Sequence, residues 1–387
     1  MAYRAVFIIC EFDPFHFGHK FLIDEAKKIS CGAPVICVMS GNFTQRGECA
    51  VVDKFARAES AVLCGADLVL SLPFFYSCAC AELFSRGAVR IISEISCGEE
   101  CAVIFGSESG DINELIKCAD NLDTEEFKNE IENIKAHERF AKSREEIYES
   151  IFGDSSVIST PNNILGIEYI RAIKKYAPNI TPHTVKREGA EHNSEQTEHI
   201  YASATYLRKI AETDEFYSFI PDVTHGIYKN GQFPARIQNA EKLIISKLRS
   251  MESFDFADGA GGLLQRIVSA SKNVGSYDAL LSLSATKRYT NARIRRCILS
   301  AFLEITEEEQ HKAPSFTQLL ASNTAGLEFL SKTKKRHRDL DIITKPSNHT
   351  DNRDFMREVY ADNMFAFMMP NTAPFNYSLK KTPFILK

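Results

Sequence analysis

Four short runs of uninterrupted apolar residues set the tightest limit on this chain. They fall in YRAVFIIC (3–10), PVICVM (34–39), ADLVLSLP (66–73) and CAVIFG (101–106). Stretches with helical spacing lie between them, at 18–29, 51–64 and 78–94, with Gly65 as a helix stop. A strand with one wet face alternates apolar and polar residues; a strand apolar throughout is covered on both faces. Strand–helix alternation of this kind predicts a doubly wound, Rossmann-like α/β sheet of parallel strands.

The pattern continues and then changes. Residues 111–151 are charged and helical and read as an insertion over the site. STPNNILGIEYIRAIKKY (159–176) reads as a capped helix, and ITPHTVKR (180–187) as a further strand. The segment 188–199, EGAEHNSEQTEH, reads as structureless, and a helix is expected to begin near Ser203. From about residue 216 helical spacing dominates, at 235–250, 262–272, 290–305, 316–330 and 352–366, with LDIITKP (340–346) as an exception. Two units follow: an α/β domain over 1–215 and a mainly α-helical region over 216–387.

Composition excludes several classes. No apolar run reaches the roughly 18 residues of a membrane span, and YRAVFIIC lacks the flanks of a secretion signal. The net charge of −5 means that any nucleic-acid contact must rest on local basic patches. Eleven cysteines, all but Cys297 before residue 119, are unpaired in pattern and read as reduced thiols in a cytosol. CAC (78–80) and CGEEC (97–101) lack the usual metal-ligand gap, so small buried side chains are the reading and no metal site is assigned.

Chemistry concentrates where the first strand ends. Ligands of a parallel α/β sheet bind beyond the carboxyl ends of its strands. There the chain reads CEFDPFHFGHKF, with His16 and His19 three apart and Gly18 between them. Gly18 lets backbone approach a ligand, and the next helix offers free N–H groups. Two imidazoles there can donate to phosphate oxygens and stabilise charge during displacement at an α-phosphate. A second element, ASATYLRK (202–209), sets Ser203 and Thr205 at a helix start with Arg208 one turn on; hydroxyls and a guanidinium make a phosphate clamp. A lone capped helix is the plainer reading of either element, but the two together favour a polyphosphate.

H-x-G-H and S-x-T-x-x-R resemble the paired motifs of the HIGH-type nucleotidyltransferases. Further segments occur in order: MSGNFTQRGECAVVDKFARAESAVLCGADLVLSLP (39–73), FGSESGD (105–111), PNNILGIEYI (161–170), VKREGAEHN (185–193) and KRYTNARIRR (287–296). Together they resemble the bacterial tRNA(Met) cytidine acetate ligase family, closely to about residue 210 and more loosely afterwards. The resemblance implies an ATP-dependent, cytoplasmic carbon–nitrogen ligase. It would activate acetate as acetyl-adenylate, then acetylate N4 of the wobble cytidine of elongator tRNA(Met), releasing AMP and pyrophosphate. His16, His19, Ser203, Thr205 and Arg208 would carry the chemistry.

The same resemblance places ATP on residues 8–21: Ile8, Ile9, Cys10, Glu11, Phe12, Asp13, Pro14, Phe15, His16, Phe17, Gly18, His19, Lys20 and Phe21. It adds Gly106, Arg187, and Asn162 or Asn163. Asn162 is preferred, because Asn163 can instead cap its helix. Mg²⁺ would accompany the polyphosphate. In SGNFTQRGE (40–48), the polar Asn42, Thr44, Gln45 and Arg46 are expected to reach substrate, while Lys54 and Arg57 read as a solvated face or RNA contacts. Lys287, Arg288, Arg293, Arg295 and Arg296, with Tyr289, form a basic stretch suited to an RNA backbone, and KTKKRHR (332–338) adds more cations. Two other readings compete. A small-molecule adenylyltransferase would be far shorter and lack the basic helical half; a non-catalytic RNA-binding scaffold would have no use for both phosphate elements.

Overall fold

The computed structural model describes residues 3–136, 144–187, 201–230, 232–335 and 339–387. The segment 188–199 and the basic residues 336–338 lie outside the described residues. The expected strands form as β1 (Val6–Cys10), β2 (Val35–Ser40), β3 (Leu68–Leu72), β4 (Cys101–Ser107) and β5 (Ile180–Lys186). Every residue of β1, β2 and β3 is buried, Ser40 and Ser71 included, as strands covered on both faces require. Helices α1 (Phe17–Ser30), α2 (Lys54–Leu63), α3 (Phe74–Ser77) and α4 (Ala81–Ser96) connect the first four strands.

The strand order is β5-β4-β1-β2-β3, all parallel. Order runs outward in opposite directions from β1 and β4, so the topological switch point lies between these two strands. The sheet then crosses residue 216. β6 (Phe316–Asn323) lies antiparallel to β3, and β7 (Asp341–Ile343) and β8 (Phe384–Leu386) both pair parallel with β6. This corrects the helix expected over 316–330. FTQLLASN is buried in all but its last residue, between β3 on one side and β7 and β8 on the other. The helix begins only at Thr324, where the Asn323 side chain accepts from the Gly326 amide at 3.0 Å. The other expected helices form as Glu241–Arg249, Leu263–Ser271, Asn291–Leu303 and Arg353–Ala366.

Between β4 and β5 run α5 (Ile112–Leu122), α6 (Glu125–Ala136), α7 (Arg144–Phe152) and α8 (Pro161–Tyr176). Of the segment expected as an insertion over the site, α5 buries Leu115, Cys118, Ala119 and Leu122 and packs on α8. Arg171 of α8 bridges Asp123 at 2.7 Å and Glu168 at 2.8 Å, and Arg144 meets Glu168 at 2.7 Å. After β5 comes α9 (Ala204–Lys209), capped by Ser203. No helix is long and apolar enough to cross a membrane among the described residues.

Two residues expected on a solvated face are fully buried. Lys54 and Arg57 each have 0% exposure. Lys54 Nζ lies 2.9 Å from Glu358 and 2.9 Å from Asp362, both on the helix Arg353–Ala366. Glu358 also accepts from the Phe74 amide at 2.8 Å. Asn42 accepts from the Lys54 amide at 2.7 Å and donates to Asp362 at 2.8 Å. Burial works against the Lys54 charge, but its two carboxylates outweigh that and hold its pKa above the ordinary value. Burial raises Asp362 to about 6 against the pull of Lys54. Arg57 donates Nε to the Val52 carbonyl at 3.1 Å and its terminal nitrogens to the carbonyls of Glu11 (2.5 Å), Ser40 (3.3 Å) and Gly41.

Removing Lys54 would leave two buried carboxylates facing each other. Lys54→Met is therefore expected to cost about 3–5 kcal/mol, the range for breaking a buried ion pair from one side. Urea unfolding of the variant measures it; a loss under about 1 kcal/mol would show that the carboxylates neutralise without cost.

Candidate functional site

A cleft of about 330 Å³ opens at the carboxyl edge of the sheet, at the switch point between β1 and β4. Its floor is the turn that leaves β1. His16 is the N-cap of α1, and its Nδ1 accepts from the Gly18 amide at 3.0 Å. That bond uses the Nδ1 lone pair, so neutral His16 carries its proton on Nε2. The rings of His16 and His19 stack with centroids 3.8 Å apart, tilted by 31°. A Cβ at Gly18 would come within 2.8 Å of His16 Cε1, so glycine here makes room for the imidazole as well as for a ligand. His19 Nδ1 is buried and has no partner among the described residues.

Both imidazoles are neutral. Burial pushes His16 down to about 3, helped by the charges of Arg187 and Arg208. Burial likewise holds His19 well below the usual imidazole range, with His16 and Arg187 adding to it. Neutral rings donate N–H without carrying a charge that must be desolvated.

The opposite wall is α9. Ser203 Oγ accepts from the Tyr206 amide at 3.1 Å. Thr205 Oγ1 accepts from Arg208 at 3.2 Å and from Arg46 at 3.4 Å. Arg208 also donates to the Asp13 carbonyl at 2.9 Å, which ties α9 to the turn after β1. The S-x-T-x-x-R element thus faces H-x-G-H across one cleft. Burial lowers the pKa of Arg46, and Arg208 lowers it further; burial also lowers that of Arg187, partly offset by Glu108. Three guanidiniums line a single cleft, and their mutual repulsion favours a polyanion.

The third wall comes from β4 and α8. Glu108 accepts from the Asn162 side chain at 2.6 Å and from the Asn163 amide at 2.8 Å. Asn163 is 3% exposed and accepts from the amides of Glu108 (3.0 Å) and Ser109 (3.1 Å). Thr160, not Asn163, is the N-cap residue of α8, and the Glu108 carboxylate satisfies the first amides of that helix. Asn162 lines the cleft; Asn163 does not. At Gly106 a Cβ would meet Arg187 Cγ at 3.2 Å, so the glycine lets the guanidinium lie across the strand end.

The other expected residues divide. Ile9, Cys10, Glu11, Phe12 and Asp13 line the cleft beside the two histidines. Gly18 and Phe21 line a small recess adjoining it, with Lys186, Tyr201 and Ser203. Ile8, Pro14, Phe15 and Phe17 line neither, and Lys20 pairs with Asp24 at 2.7 Å. Gln45 and Arg46 reach the cleft, whereas Asn42 and Thr44 are 1% and 3% exposed and hold their own loop. Glu108 and the aromatic wall of Phe84, Phe105 and Tyr169 were not singled out from sequence. The signal for Glu108 was its place just past a strand's carboxyl end.

The basic stretch also divides. Lys287 and Arg288 are exposed. Arg293 donates to the carbonyls of Asp258 and Ala260 and lies 4.9 Å from the Tyr289 ring centre. Arg295 pairs with Glu48 at 2.9 Å, and Arg296, 7% exposed, pairs with Asp258 at 2.9 Å. A Cβ at Gly47 would fall 2.4 Å from the Arg296 amide, so this helix abuts the loop that carries Arg46.

Known proteins resemble this chain over nearly its whole length. A family described as HIGH Nucleotidyl Transferase matches residues 3–379. The tRNA(Met) cytidine acetate ligase of Caldanaerobacter subterraneus subsp. tengcongensis is 36% identical over 393 residues, 96% of each chain. That of Acetivibrio thermocellus is 32% identical, again over 96% of each. The crystal structure of Thermotoga maritima TmcAL bound with alpha-thio ATP is 29% identical and superposes with a TM-score of 0.87 over 99% of each chain.

Folded His16 stays neutral to about pH 3, while the unfolded imidazole takes up a proton near 6.5. Between these values the unfolded state binds more protons, so this residue's contribution to stability falls as pH falls. The stability difference between wild type and His16→Asn, which keeps a capping acceptor, should shrink from pH 7 to pH 4 in urea unfolding. A pH-independent difference would mean that the folded imidazole titrates normally.

Proposed function

The chain belongs to the HIGH nucleotidyl transferase family and, within it, to the tRNA(Met) cytidine acetate ligases, and we propose that it uses ATP to acetylate N4 of the wobble cytidine of elongator tRNA(Met). The observation that carries this is the pairing across one cleft of two neutral imidazoles with the Thr205–Arg208 clamp. Similarity to ligases over nearly the whole length weighs against a small-molecule adenylyltransferase.

The first step is adenylation. An acetate oxygen attacks the α-phosphorus of ATP, and the bond to the bridging oxygen breaks to release pyrophosphate. Acetate is already anionic at neutral pH, so no base is needed. His16 and His19 donate to the phosphoryl oxygens as charge builds on them, and Arg208, Arg187 and Arg46 stabilise the departing pyrophosphate. Thr205 keeps Arg208 and Arg46 from drifting apart. Asn162, already oriented by Glu108, is free to read the nucleoside. Asn163 supports it by fixing the loop after β4.

Among the described residues no three His, Cys, Asp or Glu side chains come together to hold a metal ion. Mg²⁺ would come with the ATP and would supply charge neutralisation to its phosphates. The second step moves the acetyl group from the adenylate to the cytidine amine and releases AMP. In this reading residues 1–215 carry ATP and 216–387 guide the tRNA. Lys287 and Arg288 offer exposed charge to its backbone, while Arg293, Arg295 and Arg296 anchor the helix that follows them. The reaction belongs to a cytoplasm, where ATP and tRNA meet.

Incubation with ATP, Mg²⁺, labelled acetate and unmodified elongator tRNA(Met) should place label on a cytidine. His19→Ala and Arg208→Lys should each lower acetate-dependent pyrophosphate release by about 10²-fold or more, the usual cost of one transition-state donor. Acetate-independent adenylyl transfer to a small molecule would overturn the reading. Separately, Lys287→Ala and Arg288→Ala should each weaken tRNA binding and reduce its log–log salt slope by about one. Unchanged slopes would remove these residues from the RNA surface.

A further inference from the structure

The second step needs a proton acceptor, because a cytosine amine that becomes an amide must lose a proton. We propose that Glu11 receives the N4–H of the target cytidine, orienting the amine and taking its proton as the acetyl group transfers. This rests on the ligase reading above.

Glu11 is the first residue beyond β1, at the switch point, and it lines the cleft with His16, His19 and Arg208. Among the described residues, one of its oxygens is engaged. Oε1 accepts from the Gln45 amide at 2.8 Å and from Ser40 Oγ at 3.3 Å. No hydrogen bond to Oε2 is formed among the described residues, so Oε1 is held in place while Oε2 keeps its acceptor capacity. A carboxylate is the natural acceptor for the exocyclic amine of cytosine. Beside it the cleft carries Phe84, Phe105 and Tyr169, with the Phe105 and Tyr169 rings 5.6 Å apart, an apolar wall on which an unstacked base can lie.

The electrostatic setting is consistent. Burial raises the Glu11 pKa, the Gln45 amide opposes the rise, Asp13 adds to it, and Arg46 and Arg208 oppose it. Other ionisable groups also face it. Tyr169 from α8 and Cys10 from β1 both stay protonated, each held above its ordinary value by burial first and by the Glu11 charge among the lesser causes. Cys78, beyond α3, is likewise raised by burial, with Glu11 a minor cause. Arg57 from α2 grips the Glu11 carbonyl. A raised pKa makes a carboxylate a better base.

The step balances as follows. The N4 lone pair attacks the acetyl carbonyl carbon and forms the C–N bond. The bond from that carbon to the phosphate oxygen breaks, and AMP leaves with the electron pair. The N4 proton passes to Glu11 Oε2 and then to water. Nothing is oxidised or reduced.

Glu11→Gln keeps an oxygen to accept from Gln45 but cannot take a proton. The two half-reactions are measured separately: acetate-dependent ATP–pyrophosphate exchange, and single-turnover transfer from enzyme-bound acetyl-adenylate to tRNA. Glu11→Gln should slow transfer by about 10²-fold or more, far beyond its effect on exchange. In wild type the transfer rate should rise with pH through an inflection above 4.5, and the variant should lose that inflection. Near-wild-type transfer, or equal losses in both half-reactions, would overturn the proposal and leave Glu11 as a support for the loop 40–48. Absence of exchange or transfer in wild type would instead overturn the ligase reading, and this inference with it.

Discussion

The buried cations of α2 are what the rest of this structure leans on. Arg57 fills a space under the carboxyl edge of the sheet where three chain segments end with carbonyls pointing inward, those of Glu11, Ser40–Gly41 and Val52. Unpaired, those carbonyls would each carry a desolvation cost; one guanidinium satisfies them together. Lys54, one turn earlier, is held by Glu358 and Asp362 from the far end of the chain. A buried ion pair is weak evidence for stability, yet it fixes geometry, because either partner alone is intolerable. The turn that carries Glu11 and His16 and the loop that carries Arg46 are therefore set by a helix more than 300 residues distant.

That arrangement explains why the chain cannot be cut cleanly at its middle. β6, β7 and β8 complete the sheet begun by β1 to β5. The helix Asn291–Leu303 touches the loop 40–48 at Gly47 and through Arg295 and Glu48. The basic stretch and the cleft thus share one loop. Arg46 stands at that junction, bonded to Thr205 on the cleft side.

The cleft itself combines two electrostatic devices. Stacked, buried imidazoles stay neutral, and three guanidiniums line the same cleft. The first suits charge that appears only in a transition state, the second suits charge that the substrate brings with it. Glu108 and Asn163 supply the rigidity, exchanging hydrogen bonds between the loop after β4 and the first turn of α8.

Much of this was legible from local pattern. Unbroken apolar runs determined β1 to β4 because a strand covered on both faces has no polar position to spare. His16 and His19 following such a run, with Ser203, Thr205 and Arg208 downstream, are motifs whose residues line the cleft. What stayed hidden was every choice made by a distant partner. Lys54 and Arg57 look like solvated charges because their acceptors are remote in sequence or are backbone carbonyls, which no side-chain pattern reveals. Phe316–Asn323 looked helical because its apolar spacing is ambiguous until β3 and β7 flank it. Asn162 and Asn163 are adjacent and chemically alike; only the placement of Glu108 sends one to the cleft and the other into the scaffold. Arg296 and Lys287 lie in one basic run, and only Asp258 decides which is buried. Sequence determined the elements and the chemistry they could bear, because periodicity and motif spacing are local. The tertiary structure decided which charges face water, because burial depends on neighbours that the chain meets only once folded.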